Sequence, residues 1–306
     1  MEIKKTLTVF TPTYNRAYCL HLGYEALKRQ TSKDFKWLII DDGSTDNTRQ
    51  LVDTWIAQGA VEIEYCYKEN GGMHTGHNKA YEMIDTELNV CIDSDDWMPD
   101  NAVELILSLW RKHGSELHAG LIGLDVSPQN KIIGNEFPKD LTVCKYSELF
   151  PKYKVFGDKK IIYRTQIVKR YHPYPTFENE KFVPLYLPII IDHDLSLLCF
   201  NEIFCIVDYQ SDGSTLNIYN QYFQNPVGFA HSRLIEMQYL PTFYLKFKSA
   251  IHFISSCIIS RKTKFFSKSK NKLLILMAIP FGVILYVYLL RKKDKTRNIK
   301  KYIHGN

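Results

Sequence analysis

The chain has no Cys-x-x-Cys pair, and its seven cysteines are spread irregularly over 306 residues. An odd count at irregular spacing argues against a disulfide framework and suits reduced thiols in a cytoplasmic compartment. There is no internal repeat, no low-complexity linker and no nucleic-acid-binding motif. Met1 to Phe10 is too short and too polar for a signal peptide. His74 and His77 lie three apart at a helix start, so both could face a cleft, but without the glutamate of a zincin motif they read as ordinary polar residues of the surface.

Acidic residues are almost missing from the C-terminal end. Residues 261–306 hold 13 of the 39 Lys and Arg but one acid, Asp294, so this stretch is +12 while residues 1–260 are −6. The body is therefore no nucleic-acid binder by charge. Within the tail, Arg261–Lys272 is basic, Leu273–Leu290 is uncharged and apolar, and Arg291–Lys301 is basic again. Basic flanks around an apolar run suit an anionic membrane surface. As a helix the run covers about 27 Å, near the lower limit for a span. Pro280 and Gly282 interrupt its middle, and both flanks favour the cytoplasmic side. These features predict a bent segment dipping into one leaflet. Phe229 to Ser260 reads as two helices broken at Pro241, rich in Phe, Tyr and Ile, and either interfacial in character or packed against the catalytic domain.

Apolar residues and acids are abundant, in a telling order. The apolar fraction of 45% supports a sizeable core. Val90, Cys91 and Ile92 lead directly into Asp93-Ser94-Asp95-Asp96. A strand delivering acids to its C-terminal end can hold Mg²⁺ or Mn²⁺ against a diphosphate, because hard cations take oxygen ligands. A second acidic strand end lies upstream: Leu38 to Ile40 reads as a buried parallel strand, followed by Asp41, Asp42 and Gly43. Ser44, Thr45 and Asp46 can cap the next helix, and capping is the preferred reading for Asp46. A third strand, Leu7 to Phe10, ends in Thr11-Pro12-Thr13-Tyr14-Asn15 before a helix pattern from about Tyr18 to Arg29. Three strand–turn–helix units imply a doubly wound, mostly parallel sheet. Ligands bind such sheets at the C-terminal strand ends, so the polar ends should share one cleft.

TPTYNR, LIIDDGSTDNT, ENGGMHTGHNKA and IDSDDWMPD, in this order, resemble the GT-A fold glycosyltransferases of family 2, of the bacterial capsule and exopolysaccharide type. The resemblance is dense over the first 110 residues or so and looser from Lys159 to Thr215. It implies an α/β, Rossmann-like GT-A domain over residues 1–225, with a nucleotide-binding half (1–115) and an acceptor-binding half (116–225). Residues 226–306 would form the helical, basic, membrane-associating tail. By the same resemblance Thr11, Tyr14, Asp41 and Asp42 hold the nucleotide, flanked by Gly72 and Asn78. His77 stands where many members carry Arg. The Asp-x-Asp maps to Asp93 and Asp95, both metal-binding, with Asp95 the principal ligand and a catalytic residue. Glu180 occupies the position of the general base, with Glu178 as understudy; helix N-terminal preference is the other reading of both. Tyr209, Asp212 and Gly213 match a loose pattern on the acceptor side. Asp192-His193-Asp194 has metal-ligand residue types but reads as a turn between two apolar runs.

The expected activity follows. A nucleotide sugar, UDP-linked by expectation, breaks at its anomeric C–O bond, and Mn²⁺ or Mg²⁺ neutralises the diphosphate leaving group. A carboxylate takes the proton of the attacking hydroxyl, and direct displacement inverts the anomeric centre. The acceptor expected is a lipid-linked saccharide of a bacterial surface polysaccharide, at the cytoplasmic face of the cell membrane, with the enzyme peripheral or monotopic. Two other readings stay open. A sugar-nucleotide nucleotidyltransferase would need a Gly-rich loop after the first strand, which TPTYNR lacks. A non-catalytic, membrane-bound saccharide-binding protein would not need acids at 93, 95 and 180.

Overall fold

The computed structural model describes residues 5–209, 218–261 and 269–304, with side chains as far as Lys293. Its strands are β1 (Leu7–Thr13), β2 (Phe35–Asp41), β3 (Ile63–Tyr67), β4 (Leu88–Cys91), β5 (His118–Val126), β6 (Val143–Cys144), β7 (Lys159–Arg164) and β8 (Ser196–Ile206). The helices are α1 (His21–Arg29), α2 (Thr48–Gln58), α3 (Met73–Met83), α4 (Ala102–His113), α5 (Leu149–Tyr153), α6 (Thr165–Tyr171), α7 (Leu187–Ile191), α8 (Ile218–Gln224), α9 (Pro226–Tyr239), α10 (Phe243–Ser260) and α11 (Lys272–His304). Two compact units divide the chain: Met1–Tyr174 with Ile190–Gln210, and Pro175–Ile189 with Ser211–Asn306.

The first unit is built on one sheet of order β3-β2-β1-β4-β7-β5-β8-β6. β1 pairs in parallel with β2 and β4, and β2 with β3. The run Trp37-Leu38-Ile39-Ile40 is buried throughout, as a strand covered on both faces must be. β7 enters antiparallel between β4 and β5, so the sheet is mixed and mostly parallel. Behind β1 and β2 a stacked aromatic column anchors α1 and α2. Tyr24 and Trp55 rings lie 4.4 Å apart, and Trp37 and Trp55 lie 5.9 Å apart. Aromatic burial on this scale dominates core energetics. It ties α1 and α2 to β2.

In the second unit α9 and α10 are separated by Leu240-Pro241-Thr242, and the Thr242 hydroxyl caps α10 by accepting Leu245 N–H. This is the break expected at Pro241. Ala230 and Met237 of α9, Phe253, Ile254 and Cys257 of α10, and Ile275 and Ala278 of α11 share one apolar cluster. A partly buried ion pair joins Arg233 and Glu236 within α9, and Ser249 of α10 donates to the same carboxylate. The bend expected at Pro280 is not a break: α11 is a single helix of 33 residues with Pro280 inside it. Packing on both sides of Pro280 outweighs the one backbone hydrogen bond it removes.

Candidate active site

Three strand-end loops of the first unit interlock through side chain to backbone bonds. Beyond β2, the Asp42 carboxylate accepts the N–H of Gly71 at 2.9 Å and of Gly72 at 2.7 Å. Lys68 pairs with the same carboxylate, and Lys68 N–H bonds the Asp41 carbonyl. Asp42 therefore shapes the loop that opens α3. Gly43 turns with φ +86°, and a Cβ there would meet Asn70 N at 2.8 Å, so the turn needs glycine. Asp41 accepts Ser44 N–H on one oxygen and the Tyr65 hydroxyl at 2.6 Å on the other. Burial and this bond push the Tyr65 phenol up and out of the titrating range. The loop after β1 joins them: Asn15 N–H donates to Ser44, and Thr45 N–H to Asn15. Asp46 accepts from Thr48 at the start of α2 and from Ala17 N–H, the capping role preferred from sequence.

The predicted nucleotide ligands differ in how they present themselves. Tyr14 is 48% exposed. The Thr11 hydroxyl is buried and accepts the Trp37 indole N–H at 3.0 Å. Gly72 stands at the N-terminus of α3 with φ +92°. Asn78 holds the backbone of Tyr174 in both directions, at 2.8 and 2.7 Å. His74 and His77, expected at the surface, are both buried. Burial lowers each imidazole to about 4, so both are neutral at pH 7. His77 lies edge-on to Phe10 and within hydrogen-bond reach of Tyr81. The His74 ring nitrogens have no hydrogen-bond partner among the described residues.

At the end of β4 the three acids separate. Asp93 is exposed, Asp95 half-buried and Asp96 buried. Asp96 turns inward, where its carboxylate accepts Asp208 N–H at 3.2 Å and lies 3.8 Å from Lys160 Nζ on β7. Burial pushes the Asp96 carboxyl up to about 8 against the opposing pull of Lys160. Asp125, at the end of β5, is buried with Oδ1 lacking a hydrogen-bond partner among the described residues, and burial raises it to about 6. Burial works against the Lys160 charge, but Cys205, Asp125, Asp96 and Asp93 outweigh it and raise its pKa. Lys160 and Asp125 were missed in the sequence. The faint signal for Asp125 was one acid near the end of the largely apolar β5, whereas Lys160 stands beside Lys159 in a strand that also ends in Arg164 and so does not stand out.

In the second unit Glu180 accepts Val227 N–H at 2.8 Å and Gly228 N–H at 2.7 Å, one on each oxygen. Its carboxylate thus sits on the N-terminus of α9, where the helix favours negative charge. Glu178 is exposed. Asp192 is buried in the turn before β8 and accepts the N–H groups of Tyr146 and Ser147, which accounts for it without a metal. The Tyr209 hydroxyl donates to Asp158; Asp212 and Gly213 lie outside the described residues.

The Glycosyl transferase family 2 profile matches residues 8–171, more than half of the chain. The chain belongs to glycosyltransferase family 2. Among sequence relatives of this family, poly(ribitol-phosphate) β-N-acetylglucosaminyltransferase TarP of Staphylococcus aureus is 29% identical over 123 residues, which is 40% of this chain and 38% of TarP. The match therefore spans well under half of that relative. Among solved structures, S. aureus TarS 1–349 in complex with UDP-GlcNAc superposes with TM-score 0.58 at 16% identity, covering 95% of this chain and 92% of TarS 1–349. The mannosyltransferase PcManGT of Pyrobaculum calidifontis, in complex with GDP-Man and Mn²⁺, gives TM-score 0.54 at 14% identity, covering 94% of this chain and 88% of that one. At these identities the likeness shows the fold, which is GT-A.

A divalent cation in this site would find its oxygens at the strand ends. The described residues hold no group of three metal-ligating side chains. They do hold two accessible carboxylates one residue apart, Asp93 and Asp95, with Asp96 withdrawn to Lys160. This donor set fits Mg²⁺ or Mn²⁺ bound by one or two carboxylates with substrate phosphates completing the shell. When bound, the cation would supply Lewis-acid neutralisation of the leaving diphosphate.

Proposed function

We propose that this family 2 enzyme is an inverting, metal-dependent glycosyltransferase that uses a nucleotide sugar, UDP-linked, as donor. The observation that carries the reading is that parallel pairing brings the ends of β1, β2 and β4 to one edge of the sheet, with Asp93 and Asp95 following β4 and Asp42 following β2. In it, Tyr14, Asp41, Asp42, Gly72, Asn78 and Thr11 form or support the nucleotide pocket. Asp95 and Asp93 hold the cation. Tyr14 offers an exposed aromatic ring to the base, whereas Asn78 acts through the Tyr174 backbone that it holds and Thr11 through its bond to the Trp37 indole. Glu180 is the general base toward the acceptor hydroxyl.

The acceptor proposed is a lipid-linked saccharide in bacterial surface polysaccharide synthesis. The basic, apolar tail supports it, because it would hold the enzyme where such an acceptor lies, at the cytoplasmic face of the membrane. Titrating UDP, GDP and dTDP into the protein with Mn²⁺ tests the donor class. UDP should bind at least tenfold more tightly than the others. Tighter binding of GDP would replace the donor, and binding of none would leave a protein without donor chemistry.

A further inference from the structure

Over Leu273–Leu290 helix α11 is apolar on every side, yet only one side is covered. Ile275, Ala278 and Leu289 are buried against the rest of the second unit. Gly282 lies on the same face, and a Cβ there would come within 2.4 Å of Ile254 on α10. Positions 275, 278, 282 and 289 follow the 3–4 spacing of a helix seam, about 21 Å long. The opposite stripe is open: Leu273 is 73% exposed, Leu276 64%, Phe281 50%, Ile284 67%, Val287 41% and Tyr288 46%. The segment Lys272–Lys293 is the one helix among the described residues long and apolar enough to cross a membrane.

Its partner helix decides against crossing. The seam ties α11 sideways to α10 through the middle of the apolar run. If α11 stood across a bilayer, α10 would stand beside it, with Lys246, Lys248 and His252 at membrane depth. The Arg233–Glu236 pair, bonded to Ser249 of α10, would be drawn in as well. Charges at that depth are strongly disfavoured. A helix lying flat needs none of this. Its open stripe enters one leaflet while α10 and the ion pair stay on the aqueous side.

We infer that α11 is an in-plane docking surface for an anionic lipid leaflet. Charge selects lipid over a second copy of this chain. Lys270 and Lys272 flank one end of the stripe and Arg291, Lys292 and Lys293 the other. Two such stripes face to face would set cation against cation in either orientation, whereas anionic headgroups neutralise both ends. The stripe also holds α10 and α9 at a fixed height over the membrane. The inference rests on the membrane placement proposed above and adds its geometry.

The test uses the full chain. Purified protein is floated with vesicles of phosphatidylcholine, with and without phosphatidylglycerol. Binding should be at least tenfold stronger with phosphatidylglycerol and weaken in high salt without vanishing. Ile284→Asp should lower it at least tenfold with unchanged thermal unfolding, because the side chain touches little. Tags at both termini are then probed with protease in sealed right-side-out and inside-out membrane vesicles. Both tags should be cut in inside-out vesicles and neither in right-side-out ones. Tags cut from opposite sides would show a span and overturn the in-plane geometry while leaving membrane placement intact. No vesicle binding would overturn both, and a dimer in solution broken by Ile284→Asp would assign the stripe to a second copy.

Discussion

Asp42 closes on Gly72: its Oδ2 accepts the glycine N–H at 2.7 Å, while its other oxygen takes Gly71 N–H and pairs with Lys68. One buried carboxylate thereby fixes the loop that starts α3. Asp42→Ala leaves two N–H groups and an ammonium without their acceptor. We expect a loss of roughly 3 kcal/mol in unfolding free energy, the scale of breaking a buried pair. Urea unfolding measures it, and a loss below about 1 kcal/mol would mean that the loop is held by other contacts.

Lys160 should matter to the fold in the same way. Its side chain is 13% exposed and that of Asp96 5%. Lys160→Met leaves Asp96 and Asp125 facing each other's field without the cation, and should cost about 3 kcal/mol at pH 8. The cost should shrink toward pH 5, where neutral carboxyls need no counter-charge. Lys160→Arg should recover most of the loss. Equal losses for Met and Arg at both pH values would assign Lys160 a packing role only.

His77 makes a signed prediction. Its folded value of about 4 lies below the ordinary 6.5, so the unfolded chain binds the proton first. The stability His77 contributes is complete above pH 6.5 and is lost as pH falls toward 4. Asp96 and Asp125 titrate in the opposite sense, but equally in wild type and in His77→Phe, so the comparison cancels them. The stability of wild type relative to the variant should fall by about 2–3 kcal/mol between pH 7.5 and 4.5. A constant difference would mean that the imidazole is accessible and ordinary.

The sheet was legible because its apolar runs stop abruptly at acids, glycine or Pro-Thr. Those stops mark strand ends that a parallel sheet must gather on one edge, and the loops after β1, β2 and β3 do meet there. The break at Pro241 was legible for a local reason too: proline follows one helical pattern and Thr242 caps the next. What was not legible is tertiary. Lys160 meets Asp96 only because β7 enters antiparallel beside β4, a pairing between segments about seventy residues apart that no local pattern encodes. His74 and His77 read as surface residues because a polar helix start hides how deeply α3 sits against β1. That α11 continues through Pro280 was not legible either, because the seam that supports it belongs to α10.

Glu180→Gln tests the proposed base. The amide keeps one acceptor oxygen for the N-terminus of α9 and loses the proton-accepting carboxylate. Transfer should fall by at least about 10²-fold with UDP binding changed little, beside a stability loss of about 1 kcal/mol because the amide leaves one of the two N–H groups without an acceptor. If transfer is unchanged in Glu180→Gln and lost in Glu178→Gln, the base is Glu178. If only stability falls in Glu180→Gln, the carboxylate serves α9 alone.

The most direct measurement is sugar release from nucleotide sugars by wild type and Asp95→Ala, with Mn²⁺ or with EDTA. The account predicts turnover of at least one UDP-sugar by wild type. It predicts a loss of about a hundredfold or more in Asp95→Ala and in EDTA, with the variant folded. Restored Mn²⁺ or Mg²⁺ should rescue wild type but not the variant. Full activity in Asp95→Ala, or no turnover of any nucleotide sugar by folded wild type, would contradict it.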